Sequence, residues 1–394
     1  MRAPGRLAYV CADAGIPPDG AKGASVHFRE LGRALVREGY DVQAVTRRPP
    51  TGAWNDFPLR AVGGGGRGVP DPLVRELAEL TDQRGLAEAL TECGPVQAVY
   101  ERYSLWGLSG LRHARALGVP FFLEVNAPLW EEAERYRALA LGAPARAVAR
   151  ELFRRASRVL VVSAPLRDRI IAEGAEPDRV IVFPNGVAPA FLEDTAPADV
   201  PTALRGRFIL TFVGSLKPWH GIEMLLDAVL ALPTSLNVGL WVVGDGPEAP
   251  RVDEAARLHP DRVVRTASVP HEQVPSVLRA SDATVAPYTS SSPTYFCPLK
   301  VVEAFAAGVP LLASAVPAVQ RLDLRGLTLG TFQPGSRSSF RCALERLLAD
   351  PTAARASADH NRSVARGRFT WDQRARELGA LLEDGAPLST VGAA

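Results

Sequence analysis

The stretch LAYVCADAGIPPDGAKGASVHFRELGRALVREGYDVQAVT, residues 7–46, decides the fold of this chain. Leu7–Ala12 and Val42–Thr46 are short, β-rich apolar runs, which is typical of buried strands. Between them, apolar residues repeat at helical spacing over about Ser25 to Glu38, and Gly39 marks the end of the predicted helix. A strand, a helix and a second strand in this order predict the βαβ unit of a parallel, doubly wound sheet.

The same alternation of short apolar runs and longer amphipathic stretches continues along the chain. Further strands are predicted at Val96–Glu101, Phe121–Val125, Arg158–Val162, Val180–Phe183, Phe208–Val213, Leu240–Val243, Ala283–Ala286 and Leu311–Ala313. The Pro- and Gly-rich segment Pro49–Asp71 is expected to be a mobile loop. Asp194–Pro201, rich in Pro, Asp and Ala, is expected to be a linker.

A chain of 394 residues is too long for one ordinary core and fits two domains of about 200 residues. We therefore predict an α/β protein with two Rossmann-like, doubly wound parallel-sheet domains that face a central cleft, where a ligand would bind. The first domain is expected over residues 1–198 and the second over 199–369. Residues 370–394 are expected to form a last helix and a tail.

The composition is that of an ordinary globular protein, with 47% hydrophobic and 22% charged residues. Its 45 basic and 43 acidic residues leave a net charge of only +2, which gives no field that would favour nucleic acid as a partner.

The four cysteines, Cys11, Cys93, Cys297 and Cys342, lie far apart and form no CxxC pair. This spacing argues against a structural zinc site and a disulfide framework, and a reducing compartment is the simplest interpretation. No secretory apolar segment follows the N-terminal arginines, and no run of 18 apolar residues is present. We therefore expect a cytoplasmic protein.

The first candidate site is the entry to the first helix, Gly23-Ala24-Ser25, which Lys22 precedes. A helix N-terminus offers free N–H groups and a positive dipole end to an anion, and small side chains would let a phosphate approach closely. The alternative is a plain tight turn with Ser25 as the N-cap.

The second candidate site is the loop Gly214–Gly221, which carries Lys217 and His220 at the end of a predicted strand. A departing diphosphate needs its charge neutralised. Lys217 would act as a permanent cation, and His220 as a cation when protonated or as a hydrogen-bond donor when neutral. The alternative is a solvent-facing loop with a structural Trp219.

The third candidate site begins at Pro298, which is well placed to open a helix. Lys300 and Glu303 are three residues apart and would share its outward face. A carboxylate there can accept both hydroxyls of a ribose, and the amides at the helix start can hold phosphate oxygens. The alternative is a common Lys–Glu surface pair.

Several other classes of site have no matching motif in the sequence. There is no Gly-x-x-x-x-Gly-Lys-Ser/Thr loop, no GxGxxG after the first strand, no HExxH, no Gly-x-Ser-x-Gly and no Asp-x-Asp suited to a metal–diphosphate site. We therefore expect no cofactor and no metal, so cations and helix ends would neutralise a bound diphosphate.

Together with several other segments, these sites resemble retaining glycosyltransferase family 4 almost from end to end. The similar segments are Lys22–Ser25, Val161–Ser163, Phe183–Val187, Phe212–Gly221, Val243–Glu248 and Glu303–Pro310. The resemblance implies the two-domain GT-B fold, with a nucleotide-sugar donor bound mainly by the second domain and the acceptor by the first. It also implies a last helix, around Trp371, that crosses back onto the first domain.

Position by position, the resemblance implies that Glu303 binds the ribose, that Gly23 faces the donor diphosphate and that Arg265–Val269 forms the edge that holds the base. The implied donor contacts are Gly23, Ala24, Ser25, Gly214, Ser215, Gly244, Val269, Tyr295, Phe296, Cys297, Pro298, Leu299 and Lys300.

Two departures from the family pattern concern the sugar and the acceptor. Tyr295 stands where the first glutamate of the family's paired-glutamate motif is usual, eight residues before Glu303. This indicates an atypical subfamily, whose donor sugar is unusual, deoxygenated or held differently. Asn126 stands where the family often has a histidine near the acceptor.

A third departure concerns the phosphates, because Ser215 and His220 replace the family's phosphate-binding Arg and Lys. Lys217 or Lys300 would supply the missing charge. The resemblance implies retention of anomeric configuration, with the leaving phosphate taking the acceptor proton.

We assign Lys217, His220 and Glu303 as candidate catalytic residues. The acceptor-side candidates are Arg102, Glu124 and Asn126. The structural alternative for Arg102 is a strand-end ion pair with Glu101. The expected acceptor is a small molecule, such as a natural product, or a lipid-linked cell-envelope precursor.

Two other functions remain open at this stage: a nucleotide-sugar epimerase of the same fold, and a non-catalytic nucleotide-sugar-binding homologue. Peripheral membrane contact is a further alternative, because Arg135–Arg158 is rich in arginine and has a single glutamate, Glu151. A solvated helix face is the preferred interpretation of that stretch, because it has few large apolar residues.

Overall fold

The protein is described by a computed structural model that covers residues 5–20, 23–63 and 68–384. These residues form two compact units. The first comprises the described residues of Met1–Gly186, Tyr295–Cys297 and Trp371–Ala394, and the second comprises Val187–Thr294 and Pro298–Thr370.

The first unit is built on a parallel sheet. Its described strands are β1 (Arg6–Cys11), β2 (Asp41–Thr46), β3 (Leu59–Ala61), β4 (Ala98–Arg102), β5 (Phe121–Val125), β6 (Arg158–Val161) and β7 (Val180–Val182). They lie in the order β3-β2-β1-β4-β5-β6-β7, and every described pair is parallel. The chain order reverses between β1 and β4, so the loops after these two strands diverge and leave a crevice at the carboxyl edge of the sheet.

Helices cover both faces of this sheet. In chain order they are α1 (Gly23–Arg37), α2 (Pro72–Thr81), α3 (Gln83–Thr91), α4 (Ser109–Leu117), α5 (Leu129–Tyr136), α6 (Gly142–Arg155) and α7 (Ala164–Ala172). Strand β5 shows the two-sided core, because Phe121 and Leu123 pack into one hydrophobic cluster and Phe122 into the other. A strand that is covered on both faces consists of consecutive apolar residues, and this apolar run is the pattern that predicted β5 from the sequence.

The second unit repeats this plan. Its described strands are β8 (Phe208–Val213), β9 (Val238–Val243), β10 (Val263–Thr266), β11 (Ala283–Ala286), β12 (Leu311–Ser314) and β13 (Gly330–Phe332), in the order β10-β9-β8-β11-β12-β13. Its helices are α8 (Ile222–Leu230), α9 (Ala249–Leu258), α10 (Val274–Arg279), α11 (Leu299–Ala307), α12 (Pro317–Gln320), α13 (Arg337–Ala349) and α14 (Pro351–Arg368). The switch point of this sheet lies between β8 and β11.

The last helix, α15 (Trp371–Glu383), belongs to the first unit, where it packs on α1. Trp371 and Leu378 are buried in the core beneath α1, and the Trp371 and His27 rings lie 4.5 Å apart. An ion pair between Arg37 and Asp372 joins the exposed sides of the two helices.

The predicted fold class, two α/β parallel-sheet units, is confirmed, and so is the opening βαβ unit. Strands β3, β10 and β13 were not predicted, and β3 lies inside the segment Pro49–Asp71 that was expected to be a mobile loop. That expectation is wrong for Leu59–Ala61, while residues 64–67 of the segment lie outside the described residues. All three strands form sheet edges and are short, so they lack the long apolar run of a central strand.

None of the helices in the described part of the chain combines the length and the apolar character that crossing a bilayer requires. Cys11, Cys93, Cys297 and Cys342 are not in disulfide bonds.

Candidate active site

The loop Gly214–Gly221 after β8 is held by the neighbouring strand end. The Leu216 N–H donates to the carbonyl of Asp245 at 2.8 Å. Leu216 is buried, whereas Ser215 and Lys217 on either side of it are exposed. The loop thus has an anchored backbone at the carboxyl edge of the sheet, beside its switch point.

The amine of Lys300, in the first turn of α11, lies against Gly214. A Cβ atom on Gly214 would stand 2.7 Å from Lys300 Nζ, and Gly214 has a φ of 140°, a conformation that favours glycine. Burial lowers the pKa of Lys300 to about 8, although the charge of Glu303 acts in the opposite direction. Among the described residues, no carboxylate lies within ion-pair distance of this amine. Glycine at position 214 therefore leaves room for the amine of a half-buried lysine that has no paired carboxylate among the described residues.

Glu303, one turn further along α11, contacts His271 instead, with 3.0 Å between Oε1 and Nε2. The alternative of a Lys300–Glu303 surface pair is therefore wrong, because the amine packs against Gly214 and the carboxylate is engaged by His271. Binding of ribose by Glu303 stays a prediction.

His220 is buried, and its Nδ1 donates a hydrogen bond to the carbonyl of Ser215. Burial, together with the positive charges of Lys300 and Lys217, lowers the pKa of His220 to about 3. The free protein therefore carries a neutral imidazole, so His220 braces the loop through its Nδ1–H and leaves the positive charge to the two lysines.

Lys217 is exposed, and its Nζ lies 5.0 Å from the centroid of the Trp219 ring. Trp219 is half-buried, and its carbonyl accepts a hydrogen bond from Ser292 Oγ at 2.8 Å. This position fits the structural role considered for Trp219. Lys217 is then a solvated cation over the face of the Trp219 ring.

The loop after β9 and the end of β10 are joined by Asp245. Its Oδ2 accepts from the Ser268 N–H at 2.7 Å, and its Oδ1 accepts from Arg265 Nη1 at 2.8 Å. Gly244, with a φ of 153°, lies where a Cβ atom would collide with the loop after β8. Gly244 and the half-buried Val269 thus flank one connected edge of the second unit, and their donor contacts stay predictions.

Tyr295–Cys297 lies with the first unit. Ser163 Oγ donates to the Tyr295 carbonyl at 2.6 Å, and the Tyr295 hydroxyl donates to Glu132 Oε1 at 2.7 Å. Burial and this carboxylate raise the pKa of Tyr295. The Tyr295 phenol thus holds a carboxylate from α5. Phe296 and Cys297 follow it, Pro298 is the N-cap residue of α11, and Leu299 is the first residue of that helix.

In the first unit, the three acceptor-side candidates meet at the buried carboxylate of Glu124. It accepts hydrogen bonds from Arg102 Nη1 at 2.8 Å, from Asn126 and from the Tyr100 hydroxyl, and His27 Nε2 lies 2.8 Å away. Burial opposes ionisation, but His27, Arg102 and Tyr100 hold the pKa of Glu124 well below its usual value. Glu124 is thus a buried anion that fixes the donors around it.

Glu101 does not pair with Arg102, so the strand-end ion pair considered as the alternative is wrong. Neighbouring strand residues face opposite sides of the sheet, and Arg102 pairs with Glu124. Glu101 is buried instead against Gly107 and Gly110. Burial raises the pKa of Glu101 to about 8, so it is a neutral acid at pH 7.

The predicted phosphate entry Gly23-Ala24-Ser25 forms the first turn of α1. Ser25 lies inside the helix, so it is not the N-cap, and the part of the prediction on Lys22 lies outside the described residues. The same turn carries His27, which the sequence analysis missed. Its signal was a polar residue at helical spacing from Leu31 and Leu35 on the buried face.

Residues 22–186 match the family described as "Glycosyl transferase 4-like domain", and residues 207–350 match "Glycosyl transferases group 1". The two matched regions together span most of the chain, and both families are glycosyltransferases.

Two curated relatives show how far the similarity of this glycosyltransferase extends. A D-inositol 3-phosphate glycosyltransferase from Xylanimonas cellulosilytica is 28% identical over 388 residues, covering 91% of this chain and 90% of the relative. A 2-deoxystreptamine N-acetyl-D-glucosaminyltransferase from Streptomyces fradiae is 28% identical over 332 residues, covering 76% of each.

Solved structures confirm the GT-B fold of the glycosyltransferase. A sucrose-phosphate synthase from Thermosynechococcus elongatus superposes with a TM-score of 0.71 at 21% identity, covering 96% of this chain and 98% of that one. The Anabaena protein HepE in complex with UDP superposes with a TM-score of 0.70 at 16% identity, covering 97% and 100%.

The arginine-rich stretch of the glycosyltransferase is largely paired with acids of its own unit. Arg146 and Arg150 both contact Glu173, and Arg155 contacts Glu151. Internal pairing of this kind fits the solvated helix face that the sequence favoured.

Proposed function

We propose that this glycosyltransferase moves a sugar from a nucleoside diphosphate donor to a small polyhydroxylated acceptor, with retention of anomeric configuration and without a metal ion. The observation that carries the proposal is the half-buried Lys300 amine, which packs against Gly214 at the switch point of the second sheet and has no paired carboxylate in the described part of the chain. A diphosphate is the part of such a donor that would neutralise it.

The second unit would hold the donor with groups already described. Lys300, the exposed Lys217 and the free N–H groups at the start of α11 are positive charges or donors for phosphate oxygens. His220, neutral and bonded to Ser215, would keep the loop in place for this contact. Glu303 would accept the ribose hydroxyls, with His271 orienting its carboxylate. The UDP complex of the structurally similar HepE supports a nucleoside diphosphate as the ligand.

The reaction would need no base from the protein. The bond from the anomeric carbon to the diphosphate oxygen breaks, and its electron pair leaves with the diphosphate. The acceptor hydroxyl oxygen forms the new bond to the anomeric carbon on the same face, and its proton passes to the leaving diphosphate. The lysines lower the barrier by stabilising the charge that develops on that group.

The relatives support a small cyclic polyol as the acceptor class. The acceptors named for the two curated relatives, inositol 3-phosphate and 2-deoxystreptamine, are both cyclitols, one anionic and one cationic. The first unit would bind the acceptor, and the hydrogen-bonded group of Arg102, Glu124 and Asn126 would contact one part of it.

A thermal-shift series tests the donor site first. Nucleoside diphosphates and nucleotide sugars are added with and without EDTA, because a ligand that binds only the folded state raises the Tm. A shift that survives EDTA is expected for one base, while a shift abolished by EDTA would contradict metal independence. No shift with any nucleotide would contradict the donor site itself.

Turnover then separates the transferase from its alternatives. Product formation with an acceptor, and an anomeric configuration matching the donor by NMR, are expected. An epimer or free sugar without acceptor would indicate an epimerase, and binding without turnover a non-catalytic homologue. The Lys217→Ala variant should lose on the order of a hundredfold in turnover, and near-wild-type turnover would contradict its role.

A further inference from the structure

A cavity of about 370 Å³ opens at the carboxyl edge of the first sheet. Its walls come from the loops after β1, β2 and β4, together with α2, α3 and α5. This is the switch point of that sheet, where doubly wound folds bind small molecules. None of its lining residues was a candidate from the sequence.

Three buried N–H groups on residues that line this cavity have no hydrogen-bond partner in the described part of the chain. They are Arg47 Nε, Gln83 Nε2 and Trp106 Nε1. Arg47 and Trp106 are each only 2% exposed. Buried donors are rarely left unpaired, because each unmade hydrogen bond costs free energy, so these groups indicate a ligand that accepts hydrogen bonds.

The remaining atoms of these side chains fix their orientation. Arg47 Nη2 donates to the Glu79 carbonyl at 3.2 Å, and Nη1 lies 3.9 Å from Asp82. Gln83 Oε1 accepts from Ser109 Oγ at 2.8 Å. The free donors are therefore preorganised rather than mobile.

Two carboxylates, Asp13 and Glu79, line the same cavity. Asp13 Oδ1 accepts from the Gly15 N–H at 2.6 Å, and the Glu79 carboxylate has no hydrogen-bond partner among the described residues. Burial and the charges of Asp13 and Glu76 raise the pKa of Glu79, whereas Arg47 and, more weakly, Arg75 lower it. Asp82 also lies 3.9 Å from the Arg47 guanidinium, so three acidic side chains share one buried positive charge, and positive charge is in deficit here.

The other charged groups of the wall do not fill this deficit. Both carboxylate oxygens of Glu76 accept backbone N–H groups, from Ala140 and Leu141. Arg75 Nη2 donates to the carbonyls of Arg137 and Ala138 and lies 3.7 Å from Glu76 Oε1, so the charges of Arg75 and Glu76 offset each other. The Arg137 side chain is exposed, so its charge is screened by water.

We propose that this cavity binds the acceptor and selects a polyol that carries a protonated amine. The amine would lie at Asp13 and Glu79, and ring hydroxyls would accept from Arg47, Gln83 and Trp106. The inference rests on the proposed glycosyltransferase function and refines it, because it specifies a cationic polyol, rather than a neutral or an anionic one, as the acceptor. A phosphate-bearing polyol would meet the two carboxylates and be repelled.

Calorimetric binding of three six-membered ring probes to the full chain tests the proposal. The probes are 2-deoxystreptamine (two amines), myo-inositol (neutral) and inositol 3-phosphate (anionic), measured with and without the nucleoside diphosphate that binds. We expect 2-deoxystreptamine to bind tenfold or more tightly than myo-inositol. Equal binding of the two, tighter binding of the phosphate, or no binding of any probe while the nucleotide binds would overturn the proposal.

Matched variants assign the effect to the carboxylates. Glu79→Gln and Asp13→Asn should each weaken 2-deoxystreptamine roughly tenfold to a hundredfold and leave myo-inositol unchanged, since a charged hydrogen bond is lost only for the amine. Trp106→Phe should weaken both probes alike. Glu88→Gln, an exposed carboxylate on α3 outside the cavity, is the control and should change neither.

The nucleotide separates a failure of this inference from a failure of the proposed function. Wild-type nucleotide affinity in the Glu79 and Asp13 variants shows that they fold and that the donor site is intact. Unchanged 2-deoxystreptamine affinity in both variants would then overturn the amine assignment and leave the glycosyltransferase function in place. Absence of nucleotide binding in the wild type would instead contradict the donor site, and the probe series would still decide the amine preference.

Discussion

Replacing Lys300 with methionine should make the free protein more stable while it weakens nucleotide binding. Methionine keeps most of the apolar stem against Phe212 and Gly214 and removes the charge. Burial lowers the pKa of Lys300 to about 8 from an ordinary 10.5. Lowering the pKa from 10.5 to about 8 corresponds to a penalty of about 3 kcal/mol for holding the charged amine in the folded state at pH 7.

The sign of the pH dependence follows from the same shift. Between pH 8 and 10.5 the unfolded chain keeps the Lys300 proton and the folded chain releases it, so the wild type gains stability as the pH rises through this window. The Lys300→Met variant has no such group. Its advantage should be largest at or below pH 7 and should fade towards pH 10.

Urea titrations of both proteins at pH 7 and pH 10 measure this difference, and calorimetry with the nucleoside diphosphate measures the functional cost. We expect the nucleotide affinity to fall at least tenfold, because a charge-assisted contact is lost. Lys217→Met is the control for stability: its side chain is exposed, so its effect should stay within about 0.5 kcal/mol. A Lys300→Met protein no more stable than the wild type at pH 7 would refute the burial argument. Unchanged nucleotide affinity would refute the assignment of Lys300 to the diphosphate.

Three further substitutions test other parts of the structure. Gly214→Ala should destabilise the protein by about 1–3 kcal/mol in urea and weaken the nucleotide, because φ is 140° and the new Cβ would stand 2.7 Å from Lys300 Nζ. Glu124→Gln should cost about 3–5 kcal/mol in urea, because Arg102 loses its buried counter-ion; a loss below about 1 kcal/mol would contradict this. Glu101→Gln should gain stability relative to the wild type between pH 5 and 8, by roughly 4 kcal/mol in total. In that window the folded wild type holds the Glu101 proton that the unfolded chain releases, so the stability of the wild type falls as the pH rises. If urea titrations show the same pH dependence of stability for the variant and the wild type, Glu101 is not a neutral acid in the folded protein.

Local patterns were enough to predict the central architecture. Phe121–Val125, Phe208–Val213 and Ala283–Ala286 have the predicted bounds, because a strand buried on both faces shows itself as an uninterrupted apolar run. The edge strands Leu59–Ala61 and Gly330–Phe332 have no such run, and only their partners in the sheet define them.

Side-chain partners far apart in sequence could not be predicted in the same way. The spacing rule for helices paired Lys300 with Glu303, but the amine instead meets Gly214 and the carboxylate meets His271. The sequence pointed to Glu124, Arg102 and Asn126 but not to His27, because His27 lies on another element, 97 residues from Glu124. Spacing along the sequence shows which side chains could pair, but tertiary packing determines which of them do.

The two ligand sites proposed here share one physical signature, although their charges are opposite. Burial pushes Lys300 towards its neutral form by lowering its pKa, and it pushes Glu79 towards its neutral form by raising its pKa. Each group therefore costs stability in the free protein, and a ligand of opposite charge relieves that cost. Selection for stability alone would replace both with neutral side chains of similar size. Their presence at the carboxyl edges of two separate sheets is explained if an anionic donor neutralises the lysine and a cationic acceptor neutralises the glutamate.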